Sequence, residues 1–160
     1  MGQNGYINHL PYSLINGGEM MSYLFPSEEW LIALVDILNS NQEYQEAAKN
    51  WEGDFYFIIE PEDGLKERVI AYMDLWHGTC RSAGIIEDEN QKRPEFRMRA
   101  PLGKWQKVLG RKLNPIQGMM TGQLKVSGNM RKIVKNPKAA LALVNCCGMV
   151  PTTYPDDDTA

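Results

Sequence analysis

The sequence lacks any run of about 18 apolar residues, the length that a helix needs to cross a bilayer. The uncharged stretch near the C-terminus, residues 139–155, is interrupted by Asn145, Gly148 and Pro151. The first two dozen residues lack the basic start and apolar block of a secretion signal, and Tyr6 stands where a myristoylation signal has Ser or Thr. We therefore expect no membrane span, no secretion signal and no lipid anchor.

Cysteine and histidine are also scarce. The three cysteines, Cys80, Cys146 and Cys147, are odd in number and two of them are adjacent, so we predict no disulfide framework and a reducing, cytoplasmic location. Together with His9 and His77 they supply too few ligands at the usual spacing for a metal, and we predict none. No phosphate-binding glycine pattern occurs, so we also predict no cofactor.

Acidic residues are absent from residues 101–155, a segment that carries nine basic ones. One interpretation is that the segment folds against the acidic remainder of the chain. The other is a positive surface that meets phosphate, on a lipid headgroup or a coenzyme. Trp105 and Tyr154 are its only aromatic residues, too few for a base-stacking platform, so nucleic acid is not a predicted partner.

Some of these basic residues recur at helical spacing, which predicts two short basic ridges that could flank one opening. Such ridges would dock transiently on an anionic membrane. The predicted membrane-docking residues are Lys104, Lys107, Arg111, Arg131, Lys135 and Lys138.

The remaining patterns predict an α+β fold. Ser27 is placed to cap a helix whose apolar face recurs through Leu38, and a second, shorter helical face follows through Trp51. Further helices are predicted over about 103–110, after Asn129 and from Pro137. Five short strands are predicted near residues 55–60, 69–76, 81–86, 95–100 and 123–127.

Alternation in several of these strands predicts a five-stranded, mainly antiparallel sheet with helices packed on one face. Residues 1–24 have no period and are predicted to be a flexible N-terminal extension. The domain is predicted over residues 25–150, and residues 151–160 form an acidic C-terminal tail.

The segment DLWHGTCR places Asp74, His77, Cys80 and Arg81 within eight residues. His77 and Cys80 could act on acyl or thioester substrates if their side chains met in space. The structural interpretation, that these residues only hold a strand end and its turn, is the favoured one. A catalytic or accessory protein of this kind is therefore the alternative function.

The segment NPIQGMMTGQLKVSGNM, residues 114–130, has no His, Cys, Asp or Glu that could act as acid, base, nucleophile or metal ligand. Met119 and Met120 lie between glycines that let the backbone approach closely. The two methionines could be ordinary core residues, or flexible thioethers that line a site for a guest of variable shape.

Residues 104–136, KWQKVLGRKLNPIQGMMTGQLKVSGNMRKIVKN, resemble the signature of the sterol carrier protein, or non-specific lipid-transfer, family. The order of helix, turn, short amphipathic helix, strand and C-terminal helix carries the resemblance, which extends more loosely over residues 27–147. It implies a five-stranded sheet covered by helices that enclose an apolar tunnel. It also implies a non-catalytic protein that binds and transfers a fatty acid, acyl-coenzyme A or sterol-like ligand.

The resemblance is closest to small stand-alone prokaryotic members. Where better-known members carry a Phe pair and then Gln, this chain has Met119, Met120 and Thr121, which favours a flexible acyl chain over a rigid sterol. The predicted ligand-binding residues are Phe96, Met98, Trp105, Val108, Leu109, Ile116, Gln117, Met119, Met120, Thr121, Leu124, Val126, Met130 and Ile133. The oligomeric state is not predicted.

Overall fold

The structure is a computed structural model, and it describes residues 14–15 and 19–155. Its strands are β1 Leu14–Ile15, β2 Glu19–Met20, β3 Tyr23–Leu24, β4 Glu52–Glu60, β5 Val69–Trp76, β6 Thr79–Ile86, β7 Phe96–Pro101, β8 Lys125–Ser127 and β9 Thr152–Thr153. The described α-helices are α1 Glu28–Leu38, α2 Gln42–Ala47, α3 Leu102–Leu109, α4 Pro115–Met120, α5 Met130–Val134 and α6 Pro137–Cys147.

Five strands form the main sheet in the order β6-β5-β4-β7-β8. The β4–β5, β5–β6 and β7–β8 pairs are antiparallel, as predicted. The central β4–β7 pair is parallel, with Phe55 opposite Phe96. The predicted α+β class and five-stranded sheet are therefore confirmed, with one parallel pairing that makes the sheet mixed.

The first helix begins where the sequence predicted. The Ser27 side chain accepts a hydrogen bond from the Trp30 backbone N–H at 3.1 Å, which satisfies one of the free donors at the start of α1. Glu28 and Glu29 occupy the first turn, where the helix dipole favours negative charge. The buried face then faces the sheet, and its residues are Trp30, Leu31, Ala33, Leu34 and Leu38.

The two faces of the sheet carry different cores. Along β4, Phe55 and Ile59 belong to the large core that the helices cover, while Tyr56 and Ile58 belong to a smaller cluster on the other face. The segment that follows β6 covers this second face, because the Tyr56 hydroxyl donates to the Lys92 carbonyl at 3.1 Å. The helices consequently lie on one face, as predicted.

Glycines in the methionine segment allow close approach and a tight turn. A Cβ at Gly118 would stand 3.1 Å from the Leu124 side chain, so glycine lets α4 pack directly on that residue. Gly122 has a φ of +80°, which glycine adopts without strain. The chain can therefore reverse between α4 and β8.

The predicted N-terminal extension, residues 1–24, and the predicted acidic tail, residues 151–160, lie partly outside the described residues. Within them, β1 pairs with β2, and β3 pairs in parallel with β9. Tyr23 N–H donates to the Pro151 carbonyl at 2.9 Å, and Phe25 N–H donates to the Thr153 carbonyl at 2.8 Å. Residues 23–24 and 152–153 thus pair with each other beside the predicted domain of residues 25–150.

The two helices predicted after Asn129 and from Pro137 are α5 and α6, and the second predicted basic ridge is divided between them. Arg131 lies on α5, Lys135 is the residue that ends α5, and Lys138 lies on α6. Asn136 and Pro137 separate the helices, because the proline ring disfavours helical backbone at the residue before it. None of the helices in the described part is long and apolar enough to span a bilayer.

Candidate functional site

An apolar pocket lies between the main sheet and the helices that cover it. Its volume is about 1130 Å³, which includes the part open to solvent. The sheet lines it with side chains that include Phe55, Phe57, Ile59, Ala71, Met73 and Leu75. The helices line it with side chains that include Trp30, Leu34, Trp105, Met119, Ala139 and Leu143.

The alternation of β4 produces the sheet side of the wall. Phe55, Phe57 and Ile59 are two residues apart, so their side chains project from the same face. Phe55 stacks on Phe57 with ring centroids 4.8 Å apart, and the Phe57 ring meets Trp105 edge to face at 6.0 Å. The aromatic rings therefore form a continuous apolar surface from the sheet to α3.

Three tryptophans line the pocket, and each already uses its indole N–H in a hydrogen bond elsewhere. The acceptors are the Thr152 hydroxyl for Trp30 (2.9 Å), the Gly53 carbonyl for Trp51 (3.0 Å) and the Ile58 carbonyl for Trp105 (3.0 Å). The rings therefore present apolar surface to the pocket, and their N–H groups are not available to a ligand.

Two half-buried polar side chains of the lining are also engaged. Ser27 caps α1, and the Asn136 amide donates to the Lys132 carbonyl at 2.9 Å. Tyr44 is different: it is 2% exposed, and its hydroxyl has no hydrogen-bond partner among the described residues. Burial raises the pKa of the Tyr44 phenol above its ordinary value, so the hydroxyl stays protonated.

Half of the predicted ligand-binding residues line the pocket. They are Met98, Trp105, Val108, Leu109, Met119, Leu124 and Ile133. They come from β7, α3, α4, the residue before β8, and α5, so the structure brings distant parts of the segment 98–133 onto one wall.

The other seven predicted residues do not line the pocket, and they are Phe96, Ile116, Gln117, Met120, Thr121, Val126 and Met130. The short helix α4 buries Pro115, Gly118 and Met119, so Gln117 and Met120 turn outward. Ile116 is half-buried against the core but does not reach the pocket. The expectation that Met120 lies in the wall is corrected by its exposure of 68%.

The remaining departures have separate geometric causes. Phe96 is fully buried beside the wall, where its ring stacks on that of Phe55 on the neighbouring strand with centroids 5.0 Å apart. Val126 is half-buried on the edge strand β8, opposite Met98. Met130 begins α5 and is 38% exposed.

Sequence reasoning missed the walls formed by β4, β5 and α6. The signal for β4 was the alternation of Phe55, Phe57 and Ile59. The signal for α6 was the spacing of Ala139, Leu143 and Cys147 at intervals of four residues, which places them on one helix face.

The predicted membrane-docking residues lie outside the pocket lining. Five of them are exposed and make no ion pair within the described residues: Lys107, Arg111, Arg131, Lys135 and Lys138. Lys104 is half-buried and donates to the Gln123 side chain at 3.0 Å. The structure thus leaves most of this positive charge unneutralised by direct pairing.

His77 lies in the turn between β5 and β6. His77 and Gly78 have φ of 51° and 79°, the positive values that a type I′ hairpin turn requires at both central positions. The imidazole lies 2.6 Å from a Glu52 carboxylate oxygen and stacks on Trp76. These contacts hold the end of the hairpin.

Cys80 has other partners. Its backbone N–H donates to the Asn39 side chain at 2.8 Å, its carbonyl accepts from the same amide at 3.1 Å, and its thiol donates to the Ser82 carbonyl. Burial raises the pKa of the Cys80 thiol to about 11, so little thiolate exists at neutral pH. This environment favours the structural interpretation of both residues over a nucleophile and its base.

Metal ligands do not converge either. In the part of the chain that the structure describes, no group of three His, Cys, Asp or Glu side chains could hold a metal ion. The pocket has apolar walls and no cluster of ionisable groups, so its geometry suits an apolar guest.

Comparisons with known proteins agree with this geometry. A family model described as the SCP-2 sterol transfer family matches residues 34–140. The chain is 32% identical to a sterol carrier protein 2 in a crystal structure, with a TM-score of 0.69 over 78% of this chain and 97% of that one. It is 30% identical to a conserved hypothetical protein of Thermus thermophilus, described as possibly a sterol carrier protein, with a TM-score of 0.72 over 88% and 96% of the two chains. No curated protein matches the chain significantly.

Proposed function

The chain belongs to the SCP-2 sterol transfer family, and from this premise we propose that it is a non-catalytic lipid carrier of the cytoplasm. Its pocket holds the apolar part of a fatty acid, an acyl-coenzyme A or a sterol-like lipid. The observation that carries the proposal is the pocket itself, whose wall is built from aromatic and aliphatic side chains of both the sheet and the helices.

Burial of an acyl chain supplies the binding free energy. About 14 methylenes at about 0.8 kcal/mol each give about 11 kcal/mol before association and ordering subtract several kcal/mol. The thioethers of Met73, Met98 and Met119 line the pocket and can adapt to chains of different shape. We expect dissociation constants in the micromolar range.

A charged headgroup stays at the pocket rim in this proposal, because an ionised carboxylate in an apolar wall costs several kcal/mol. The start of α6 suits it. Asn136 and Ala140 line the pocket, and Asn136 does not use its side chain to cap the helix. Lys135 and Lys138 flank this position and are exposed.

A transient membrane contact is the second part of the proposal. The exposed basic residues of α3, α5 and α6 share the segment 101–155 with exposed apolar side chains. Met120 is 68% exposed and Leu141 is 41% exposed. Apolar side chains among unpaired cations suit an anionic bilayer, where each Lys or Arg near the surface is worth about 1 kcal/mol.

Native mass spectrometry of freshly purified protein, followed by titration with a fluorescent fatty acid, tests the carrier function. We expect co-purified lipid and saturable binding. Absence of both would overturn the proposal.

A filled pocket supplies the structural control. In Ala140→Trp the new ring occupies the wall, and we expect the affinity to fall at least about tenfold. Leu141→Trp places the same ring on the neighbouring, exposed position, and we expect a change within about threefold. Equal affinity of the two variants would show that the fatty acid binds elsewhere.

A further inference from the structure

One polar side chain that lines the pocket makes no hydrogen bond within the described residues. The tryptophan N–H groups, Ser27 and Asn136 have partners, whereas the Tyr44 hydroxyl has none among the described residues. The Tyr44 hydroxyl is not among the fully buried side-chain atoms that lack a partner, so it stays accessible to a small molecule such as water, which a ligand oxygen could replace. An unpaired phenol in a ligand pocket points to a partner that the ligand supplies.

The backbone holds this phenol in a defined place. Tyr44 N–H donates to the Asn41 side chain at 2.7 Å, which caps α2, and the Tyr44 carbonyl accepts from Ala48 N–H at 2.9 Å. Tyr44 belongs to α2 and lines the pocket, and 2% of its surface is exposed. The hydroxyl is therefore preorganised and needs little further ordering when it meets a ligand.

The surroundings of Tyr44 are electrically neutral. Its ionisable neighbours are the thiols of Cys80, Cys146 and Cys147. Burial raises the pKa of the first two to about 11 and that of Cys147 to about 12, so all three remain protonated at neutral pH. With no cation beside it, the phenol cannot offset the burial of an ionised carboxylate, but it can donate to a neutral oxygen.

We propose that Tyr44 is a specificity-determining residue that donates a hydrogen bond to a neutral hydroxyl or carbonyl oxygen at the inner end of the bound lipid. The pocket then selects lipids that carry such an oxygen at the end that enters first. This inference rests on the proposed carrier function and names the ligand class for the same pocket.

Tyr44→Phe tests it, with 1-tetradecanol and tetradecanoate as competitors of a fluorescent fatty acid. The neutral alcohol can place its oxygen beside Tyr44, whereas tetradecanoate keeps its charged end at the rim and its methyl end inside. We expect the variant to bind tetradecanol about threefold to tenfold more weakly, as for one lost hydrogen bond. Its affinity for tetradecanoate should stay equal or rise slightly, because the unpaired hydroxyl is gone.

The matched control is Tyr72→Phe, which removes the hydroxyl of a buried tyrosine on the other face of the sheet. That hydroxyl donates to Asp54 at 2.9 Å and lies outside the pocket lining. We expect both affinities to be unchanged. Circular dichroism should show that Tyr44→Phe keeps its fold, since its hydroxyl makes no bond.

The outcomes separate this inference from the carrier function. Equal tetradecanol binding by wild type and Tyr44→Phe, with tetradecanoate still bound, would overturn the role of Tyr44 alone. Equal losses for both competitors would overturn it as well, because they would indicate a change of pocket shape. Failure of the wild type to bind any of the three probes would overturn both proposals.

Discussion

The indole N–H of Trp30 donates a hydrogen bond to the hydroxyl of Thr152, 2.9 Å away and 122 residues later in the chain. Trp30 lines the pocket, and Thr152 lies on β9, which pairs with β3. Phe25 follows β3 and packs edge to face on Trp30 with ring centroids 4.8 Å apart. The two ends of the described chain thus meet at the pocket wall.

We predict that Thr152→Val lowers the free energy of unfolding, because it weakens the contact between Trp30 and β9. Valine has nearly the same shape but no hydroxyl. The Trp30 N–H therefore loses its acceptor, and the Val150 carbonyl loses the hydroxyl that donates to it at 2.7 Å, at a combined cost of about 1–3 kcal/mol. Chemical denaturation should show this loss in the free energy of unfolding. We also expect faster release of a bound fluorescent fatty acid in stopped-flow measurements, because the Trp30 wall is held less firmly.

Thr153→Val is the matched control for that prediction. Thr153 lies on the same strand, its backbone carbonyl accepts from Phe25 N–H at 2.8 Å, and its side chain makes no hydrogen bond within the described residues. Its stability should change by less than about 0.5 kcal/mol. If the two valine variants behaved alike, the Trp30–Thr152 hydrogen bond would not be the cause.

Local chemistry explains which parts of the fold the sequence predicts. Ser27 caps α1 because its side chain can satisfy a free N–H, and this signal is contained within four residues. The strands β4 and β5 are adjacent hairpin partners, so composition and a short turn suffice to predict them. These elements depend on neighbours in sequence.

The parallel pairing of β4 with β7 does not follow from local patterns. Phe55 lies opposite Phe96 after two intervening strands, and nothing near either residue specifies the partner. The same holds for the pocket. Met119 and Met120 are adjacent residues of the same type, so the sequence does not distinguish them. The orientation of the short helix α4 buries Met119 and exposes Met120. Packing between distant elements decides both outcomes.

The acyl or thioester chemistry considered for His77 and Cys80 has a direct test. We predict that His77→Asn combined with Cys80→Ala leaves fatty-acid affinity within about threefold, since neither residue lines the pocket. Asparagine tolerates the positive φ of position 77 and therefore preserves the turn. A hydrolase or thioesterase activity present in the wild type and absent from the double variant would reverse the assignment.

Acidic pH should weaken the ion pairs that Glu89 makes with three arginines on the face of the sheet opposite the pocket. Arg68 and Arg99 lie 3.1 and 3.2 Å from the Glu89 carboxylate, and Arg97 donates to it. Burial raises the pKa of Glu89, but the Arg97 hydrogen bond and the nearby positive charges lower it further, to below its ordinary value. The stabilisation is therefore present above the unfolded-state pKa of about 4.3 and is lost as the pH falls through the folded-state pKa.

We predict that Glu89→Gln lowers the free energy of unfolding by about 2 kcal/mol at neutral pH, because three arginines lose their carboxylate. The difference from wild type should shrink below about pH 4, where the wild-type carboxyl becomes protonated. Urea denaturation across this range measures both. Glu87→Gln is the control, since Glu87 is exposed and makes no ion pair in the described part of the chain. A pH-independent difference would contradict the assignment.

The final prediction concerns the basic segment, whose exposed cations have no acidic partner within the described residues. If Arg131 and Lys135 face an anionic bilayer during transfer, each contributes about 1 kcal/mol to docking. We expect a several-fold faster lipid transfer to phosphatidylglycerol-rich vesicles than to neutral vesicles at low salt. At about 0.5 M salt the screening length shortens to a few ångströms, and the difference should disappear.

Charge reversal separates a docking surface from a general charge effect. Arg131→Glu with Lys135→Glu should abolish the acceleration on anionic vesicles while leaving fatty-acid affinity in solution unchanged, because neither residue lines the pocket. Lys66→Glu with Arg93→Glu makes the same change in net charge outside the basic segment, at two exposed positions, and should retain the acceleration. Equal rates on all vesicles would mean that these cations form a solvated surface and do not dock. Equal losses in the two double variants would mean that net charge alone governs the attraction to the bilayer.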